Sequence, residues 1–344
     1  MGTFSSFLER KGVTLSFKTY FITALSYMAL GLFSSLIIGL IIKTVGDELG
    51  FEPLTQMGSF AMQPEIWGGA IGVAIAYGLN APPLVVFAAL FSGAFSATVG
   101  GGPAGSYIAA LLSVEVGKMV SKETKVDILL TPFTTILVGF LVGITVSPSV
   151  NAFMTGFGDV VIWATEQQPF VMGIIVAVLM GWALTAPISS VAIAIMIDLE
   201  GVAAGAATVG CAAQMIGFAV MSYRENGVGG LLAQGIGTSM LQVANIVRKP
   251  LLILPPTIAG AILAPFASLG VLGEVMVNND SGAGMGTSGF VGQIMTFQTM
   301  GFTQSVIVSV VILHIVGPAV ITLILSEWFR RKKWIQYEDL RIDY

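Results

Sequence analysis

Charged side chains make up only 10% of this 344-residue chain, against about 25% in soluble domains. So few charges cannot cover a water-facing surface. One cysteine, Cys211, is present, which excludes an internal disulfide and a cysteine-built metal cluster. The single histidine, His314, argues against an intramembrane enzyme built on clustered His and Glu or on a Ser–His pair. No Lys-Ser/Thr step follows the glycine stretches at Gly100 and Gly284, so neither is a phosphate loop. No basic face is interleaved with aromatics, which argues against nucleic-acid binding. No motif implies a cofactor or a metal.

Apolar residues are abundant: 55% of the chain, with a mean hydropathy of +0.89. Several runs approach the ~20 residues that cross a hydrocarbon core. The clearest are Tyr20–Ile42, Ile128–Val146, Leu251–Val271 and Ser305–Ser326. Tyr20–Ile42 does not alternate polar with apolar residues as a barrel strand would, so the runs are helices. Shorter stretches lie between: Ile66–Asn80, Leu84–Val99, Ser106–Val120, Phe170–Leu184, which meets Pro187 and continues to Ile197, Val202–Val220 and Leu231–Val247. The expected fold is all-α, a polytopic membrane helix bundle of about ten spans with internal repeats and broken or re-entrant helices. The first run is too long for a signal-peptide core and no cleavage site follows it. Met1-Gly2 with Ser6 formally fits a myristoylation pattern, which adds nothing to a chain with many spans.

Basic residues orient the bundle. Arg10, Lys11 and Lys18 precede the first run; Lys118, Lys122 and Lys125 mark one connection; Arg248 and Lys249 mark another; Arg330–Lys333 close the last. Asp47–Glu65, Ser147–Pro169 and Gly273–Gln304 contain no Lys or Arg. The positive-inside rule places the basic sites, and both termini, in the cytoplasm of a bacterial-type plasma membrane.

Two repeats are visible. Gly78-Leu79-Asn80-Ala81-Pro82 resembles Ala183-Leu184-Thr185-Ala186-Pro187. Gly102 through Lys122 can be laid on Gly229 through Lys249, which sets Glu115 opposite Gln242 and Lys118 opposite Asn245. Leu129–Pro132 resembles Ile253–Pro256. The chain then reads as one membrane domain, with repeat 1 at about 20–150, repeat 2 at about 151–272 and a partial third copy at 273–330. Parallel and inverted repeats both fit.

Proline inside a helix frees backbone groups, tolerated in lipid only beside protein or a wet cavity. Interruptions at matching places, Asn80–Pro83 with Thr185–Pro187 and Gly100–Gly105 with Gly227–Gly230, therefore point to a solute site, although Pro and Gly are also common in membrane helices. Candidate solute ligands are Asn80, Glu115, Thr185, Gln242, Asn245, Asn279, Gln298 and His314. Glu115 and Lys118 can meet on one helix face, lining a pathway or facing headgroups. Asp198 and Glu200 are either an ion or proton site or a wet helix end. His314 is a ligand or proton relay, or a satisfied packing residue. Asn278 through Gln298 is a re-entrant segment, a lid or a mobile loop. Cys211 is a small buried hydrophobe.

The Leu-Asn-Ala-Pro and Leu-Thr-Ala-Pro breaks, the Gly-Gly-Gly-Pro-Ala-Gly stretch and Met285-Gly286-Thr287-Ser288-Gly289-Phe290 together resemble the phosphotransferase system enzyme IIC type 2 family, which includes perfringolysin-regulator-like membrane proteins. The resemblance spans nearly the whole chain. It implies a helical permease for a sugar or sugar-like solute, acting as a homodimer with separate cytoplasmic phosphotransfer subunits. The Gly-Ile-Thr-Glu motif of better-known sugar IIC domains is missing, so their ligands do not carry over. The expected function is a permease for a small polar solute, a sugar or polyol, by alternating access, with membrane lipid as its solvent. A solute-binding sensor or regulator and an ion-coupled transporter outside the phosphotransferase system are the alternatives.

Overall fold

A computed structural model describes residues 3–342; Met1 and Gly2, on which the myristoylation pattern depends, lie outside them. Among the described residues there is no strand, only an isolated antiparallel bridge joining Gly201 to Asn278. Six helical stretches are long and apolar enough to cross a membrane: Thr19–Leu49, Pro83–Val120, Asp127–Thr165, Gly201–Met221, Pro250–Ser268 and Gln304–Arg331. Pro169–Thr185 is a shorter apolar helix. Proline in the first turn starts the helices at Pro64, Pro83 and Pro169, where the missing N–H has no helical partner to lose. The described chain forms two compact units that meet in sequence at Phe153/Met154.

In the first unit, Thr19–Leu49 packs with Pro64–Gly78, which packs on Pro83–Ser96. Helix axes approach closely where glycine removes the side chain. A Cβ on Gly93 would stand 2.0 Å from the carbonyl oxygen of Gly68, a distance no side chain accommodates without moving backbone. Pro83–Val120 is not one rod. Val99 and Gly100 leave the helical region, the chain reverses, and Gly102–Val120 packs back along Pro83–Ser96. Ser106 Oγ donates to the Gly93 carbonyl at 2.9 Å across the hairpin. The arms, 14 and 19 residues long, reach about 21 and 28 Å at the helical rise.

The helix beginning at Asp127 outruns its sequence reading. The span was expected to end near Val146; the helix continues through Pro148 to Thr165. A proline at that point loses one hydrogen bond but does not stop a helix whose flanks are apolar. Only 22% of its most apolar window is buried, with Ile128, Leu129, Phe133 and Phe153 exposed, so most of this surface is not packed within the chain.

Gly201–Met221 is the centre of the second unit, with 89% of its window buried. Pro169–Thr185, Leu254–Ser268 and the last span pack around it. Its glycines meet different neighbours: Gly205 faces Met276, Gly210 faces Ala177, and Gly217 faces Pro256 and Thr322. Leu231–Val247, which reads as one apolar run, is broken: helix to Leu232, a π turn at Ala233–Gly237, extended Thr238, then two short turns. The tail beyond Arg331 folds back, and Ile335 and Leu340 join Phe218, Met221, Leu252 and Phe329 in one core cluster.

Candidate functional site

Three interrupted segments of the second unit converge. The first follows Thr185, where the helix ends and Ala186 is extended. The second is the π turn at Ala233–Gly237 with extended Thr238. The third is Asn278–Phe290, where short turns replace a helix. Hydroxyls tie each to the others. Thr185 Oγ1 lies 2.8 Å from Ser239 Oγ. Ser190 Oγ donates to Gly284 O at 2.6 Å. Thr287 Oγ1 donates to Gly235 O at 2.5 Å and Ser288 Oγ to Gly237 O at 2.8 Å. Thr287 and Ser288 thus satisfy carbonyls that the broken helix frees, as irregular backbone at membrane depth requires.

From Thr185 a buried polar chain runs outward. Thr185 Oγ1 is 3.4 Å from Gln214 Oε1. Gln214 Nε2 donates to Thr257 Oγ1 at 2.8 Å, which also accepts from the half-exposed Trp182 Nε1 at 2.9 Å. All these groups are neutral hydroxyls, amides or an indole, the donor and acceptor set that matches solute hydroxyls.

Beside this convergence lies a second group. His314 sits in a π-helical stretch, Val311–Val316, of the last span, and such bulges turn a side chain out of helical register. Its Nδ1 is 3.1 Å from Gln293 Nε2. Gln293 Oε1, His314 Nε2 and Ser309 Oγ are buried without a partner among the described residues. Either imidazole tautomer leaves one ring nitrogen unused. A buried polar atom left alone costs about 1–3 kcal/mol, so three in one helix pair mark where water or solute supplies the partner.

The remaining sequence candidates fall elsewhere. Gln242 and Asn245 are buried, but they hold the tail: Gln242 Nε2 donates to Leu340 O at 2.9 Å and Asn245 Nδ2 to Arg341 O at 2.8 Å. Asn279 caps a short helix by accepting from Gly282 N at 2.9 Å. Gln298 is exposed. Asp198 is exposed in left-handed backbone, and exposed Glu200 precedes the Gly201–Met221 helix. Among the described residues no group of three or more His, Cys, Asp or Glu stands together to hold a metal ion.

In the first unit Glu115 and Lys118 are both buried, with Nζ 3.4 Å from Oε1. Lys118 Nζ also donates to Leu79 O at 3.1 Å, a carbonyl at the end of the helix before the Asn80 break. Glu115 Oε2 has no partner among the described residues. Asn80 is exposed in left-handed backbone and ends that helix, with Ala81 N bonded to Ala76 O. Asn tolerates this conformation better than other residues with a side chain.

The paired glycine breaks share one backbone geometry. Gly102 has φ 57°, ψ −163° and Gly227 has φ 58°, ψ −156°. Only glycine occupies this region readily.

Sequence reasoning missed Gln214, Ser239, Thr257, Gln293 and Asn278. Asn278, not its neighbour Asn279, is fully buried, with Nδ2 within 3.0 Å of Thr208 Oγ1, Gly292 O and Thr296 Oγ1. Gln214 carried a signal: it is the lone amide in the Ala/Gly-rich run 201–221.

The family model for "Phosphotransferase system, EIIC" matches residues 22–342. No curated protein and no solved structure matches the chain. An all-helical fold with six membrane-length apolar helices, matched by that family over nearly its whole length, makes this chain a member of the phosphotransferase system EIIC family, the multi-pass membrane permease of such a system.

Proposed function

We propose that the chain carries an uncharged polyhydroxyl solute, a sugar or polyol, across a bacterial plasma membrane by alternating access. The observation that supports it is the meeting of three interrupted segments through Thr185, Ser239, Ser190, Thr287 and Ser288. Discontinuous helices at a shared place are how secondary carriers build solute sites. Thr185, Ser239 and Gln214 would bond solute hydroxyls, and Gln293 and His314 would use their free atoms. Asn279, Gln242 and Asn245 have capping or tail-holding partners and Asn80 is exposed at a helix end, so all four are outside this ligand set. Both termini lie in the cytoplasm, where the basic connections are drawn by the positive-inside rule. Separate soluble subunits supply phosphotransfer, and a homodimer is the working assembly by family analogy.

The test is uptake and efflux in proteoliposomes across a panel of radiolabelled sugars and polyols. Thr185→Val and Gln293→Leu should each lower flux at least about tenfold, the loss of one or two buried hydrogen bonds to solute. Unchanged flux in both variants sinks the site. A solute that binds without flux converts the reading to a sensor.

A further inference from the structure

The last span ends in a basic turn that the solute site does not use. There Arg224, Arg330 and Lys333 line a cavity of about 360 Å³ with Ile335, Gln336 and Tyr337. Arg330 is the fixed wall: its Nη2 donates to Glu225 Oε1 at 2.8 Å and to Met221 O at 3.0 Å. Arg224 makes one ion pair, 3.0 Å to Glu327, and its side chain stays 60% exposed. Lys333 is exposed, held in left-handed backbone at φ 59°, and among the described residues no ion pair engages it. Three cations line the cavity, two of them paired with Glu225 and Glu327, and exposed Arg331, Lys332 and Glu338 are sequence neighbours of the lining. The lining is therefore net positive.

The surroundings indicate depth in the membrane. Trp328 and Trp334 are exposed, with ring centroids 5.4 Å apart, and Tyr337 is exposed on the cavity wall. Exposed Trp and Tyr beside cations at the end of a span mark the headgroup layer. Exposed Val320, Leu323 and Ile324 precede Glu327 and Trp328 at spacings of three and four on the same helix, so an apolar stripe leads up to the residue that pairs with Arg224.

We propose that this cavity binds the phosphate of an anionic phospholipid headgroup, with the acyl chains along the Val320–Ile324 stripe. Arg224 and Lys333 reach the phosphate oxygens and Arg330 holds the floor. Basic pockets at the ends of membrane helices recognise anionic headgroups by this chemistry.

The test is native mass spectrometry of the full chain from nanodiscs containing equal phosphatidylglycerol and phosphatidylcholine. Phosphatidylglycerol should be retained preferentially. Arg224→Gln and Lys333→Gln should each weaken that retention about fivefold, while Lys125→Gln, at an exposed cation that is not part of the cavity lining, should not. Equal retention of the two lipids overturns the proposal, as does retention indifferent to Arg224 and Lys333. Displacement of the lipid by millimolar inorganic phosphate, with equal thermal stabilisation, would make it a soluble-anion site and overturn the lipid assignment. If either variant unfolds in phosphatidylcholine alone, raised salt on the unaltered protein gives the answer: selective release of phosphatidylglycerol supports the headgroup site, and indifference to salt refutes it.

Discussion

Single residues here divide into those whose side chains have partners and those left with a free polar atom. Asn80 stands outside both kinds: its side chain is exposed and its left-handed backbone ends a helix. Asn80→Gly should leave transport and stability within about 0.5 kcal/mol, because glycine takes the same conformation without strain. Asn80→Val should cost about 1–2 kcal/mol, read as a lower melting temperature in detergent. Glu123, in the connection between Val120 and Asp127, is an exposed carboxylate whose pKa is lowered. The hydrogen bond from Lys11 is the largest cause, and the charges of Lys11 and of Arg10, 3.3 Å away, add to it. A carboxylate depressed on folding stabilises the native state above its unfolded pKa, and that contribution is lost as pH falls through the folded value. Melting temperature should therefore drop more steeply in acid for the unaltered chain than for Lys11→Met. Parallel pH profiles would show that the Lys11 contact does not bear on stability.

Elements in this protein are defined by where they break. The π turn at Ala233–Gly237 is tolerable because Thr287 and Ser288 accept the role of partner for its carbonyls. Removing both hydroxyls should loosen a whole segment rather than one contact. Gly227 offers a sharper measurement. Its φ 58°, ψ −156° lies where a Cβ is strained, so Gly227→Ala should cost about 1–3 kcal/mol. Gly229→Ala, at a position with open space and no left-handed φ, should cost under about 1 kcal/mol. Equal melting temperatures for the two would remove the argument that the break depends on glycine. The tail is an element of the same sort. Ile335 and Leu340 are buried, while Asn226, Gln242 and Asn245 grip Leu340 and Arg341 carbonyls. Deleting the tail after Trp334 should cost at least about 3 kcal/mol from the two apolar side chains alone, with transport intact at low temperature if the solute site is independent of it.

At the scale of the whole molecule, the proposed function gives the chain the route and leaves phosphotransfer to separate subunits. His314 and Cys211 are both buried, and the proposed phosphotransfer comes from separate subunits. Solute delivered by proteoliposomes that contain only this chain should therefore emerge chemically unaltered, as mass spectrometry of the released solute would show. A phosphorylated product formed without added subunits would overturn that division of labour.

Membrane residence, the helical class and the breaks that carry Pro or Gly-Gly were legible from residues in a row; the π turn at Ala233–Gly237, inside a run that reads as continuous, was not. Hydrocarbon leaves no alternative to helices for apolar runs such as Tyr20–Ile42, and Pro82-Pro83, Gly100–Gly102 and Pro187 act on their own backbone. Partners of the polar side chains were not legible. Gln242 reads like Gln214 and Asn279 like Asn278, yet one of each pair holds the tail or caps a turn and the other is buried in a polar chain. Local sequence sets how a backbone bends. Which amide or hydroxyl completes a neighbour's hydrogen bond depends on residues tens of positions away, such as the 52 between Gly235 and Thr287, and only tertiary packing brings them within reach.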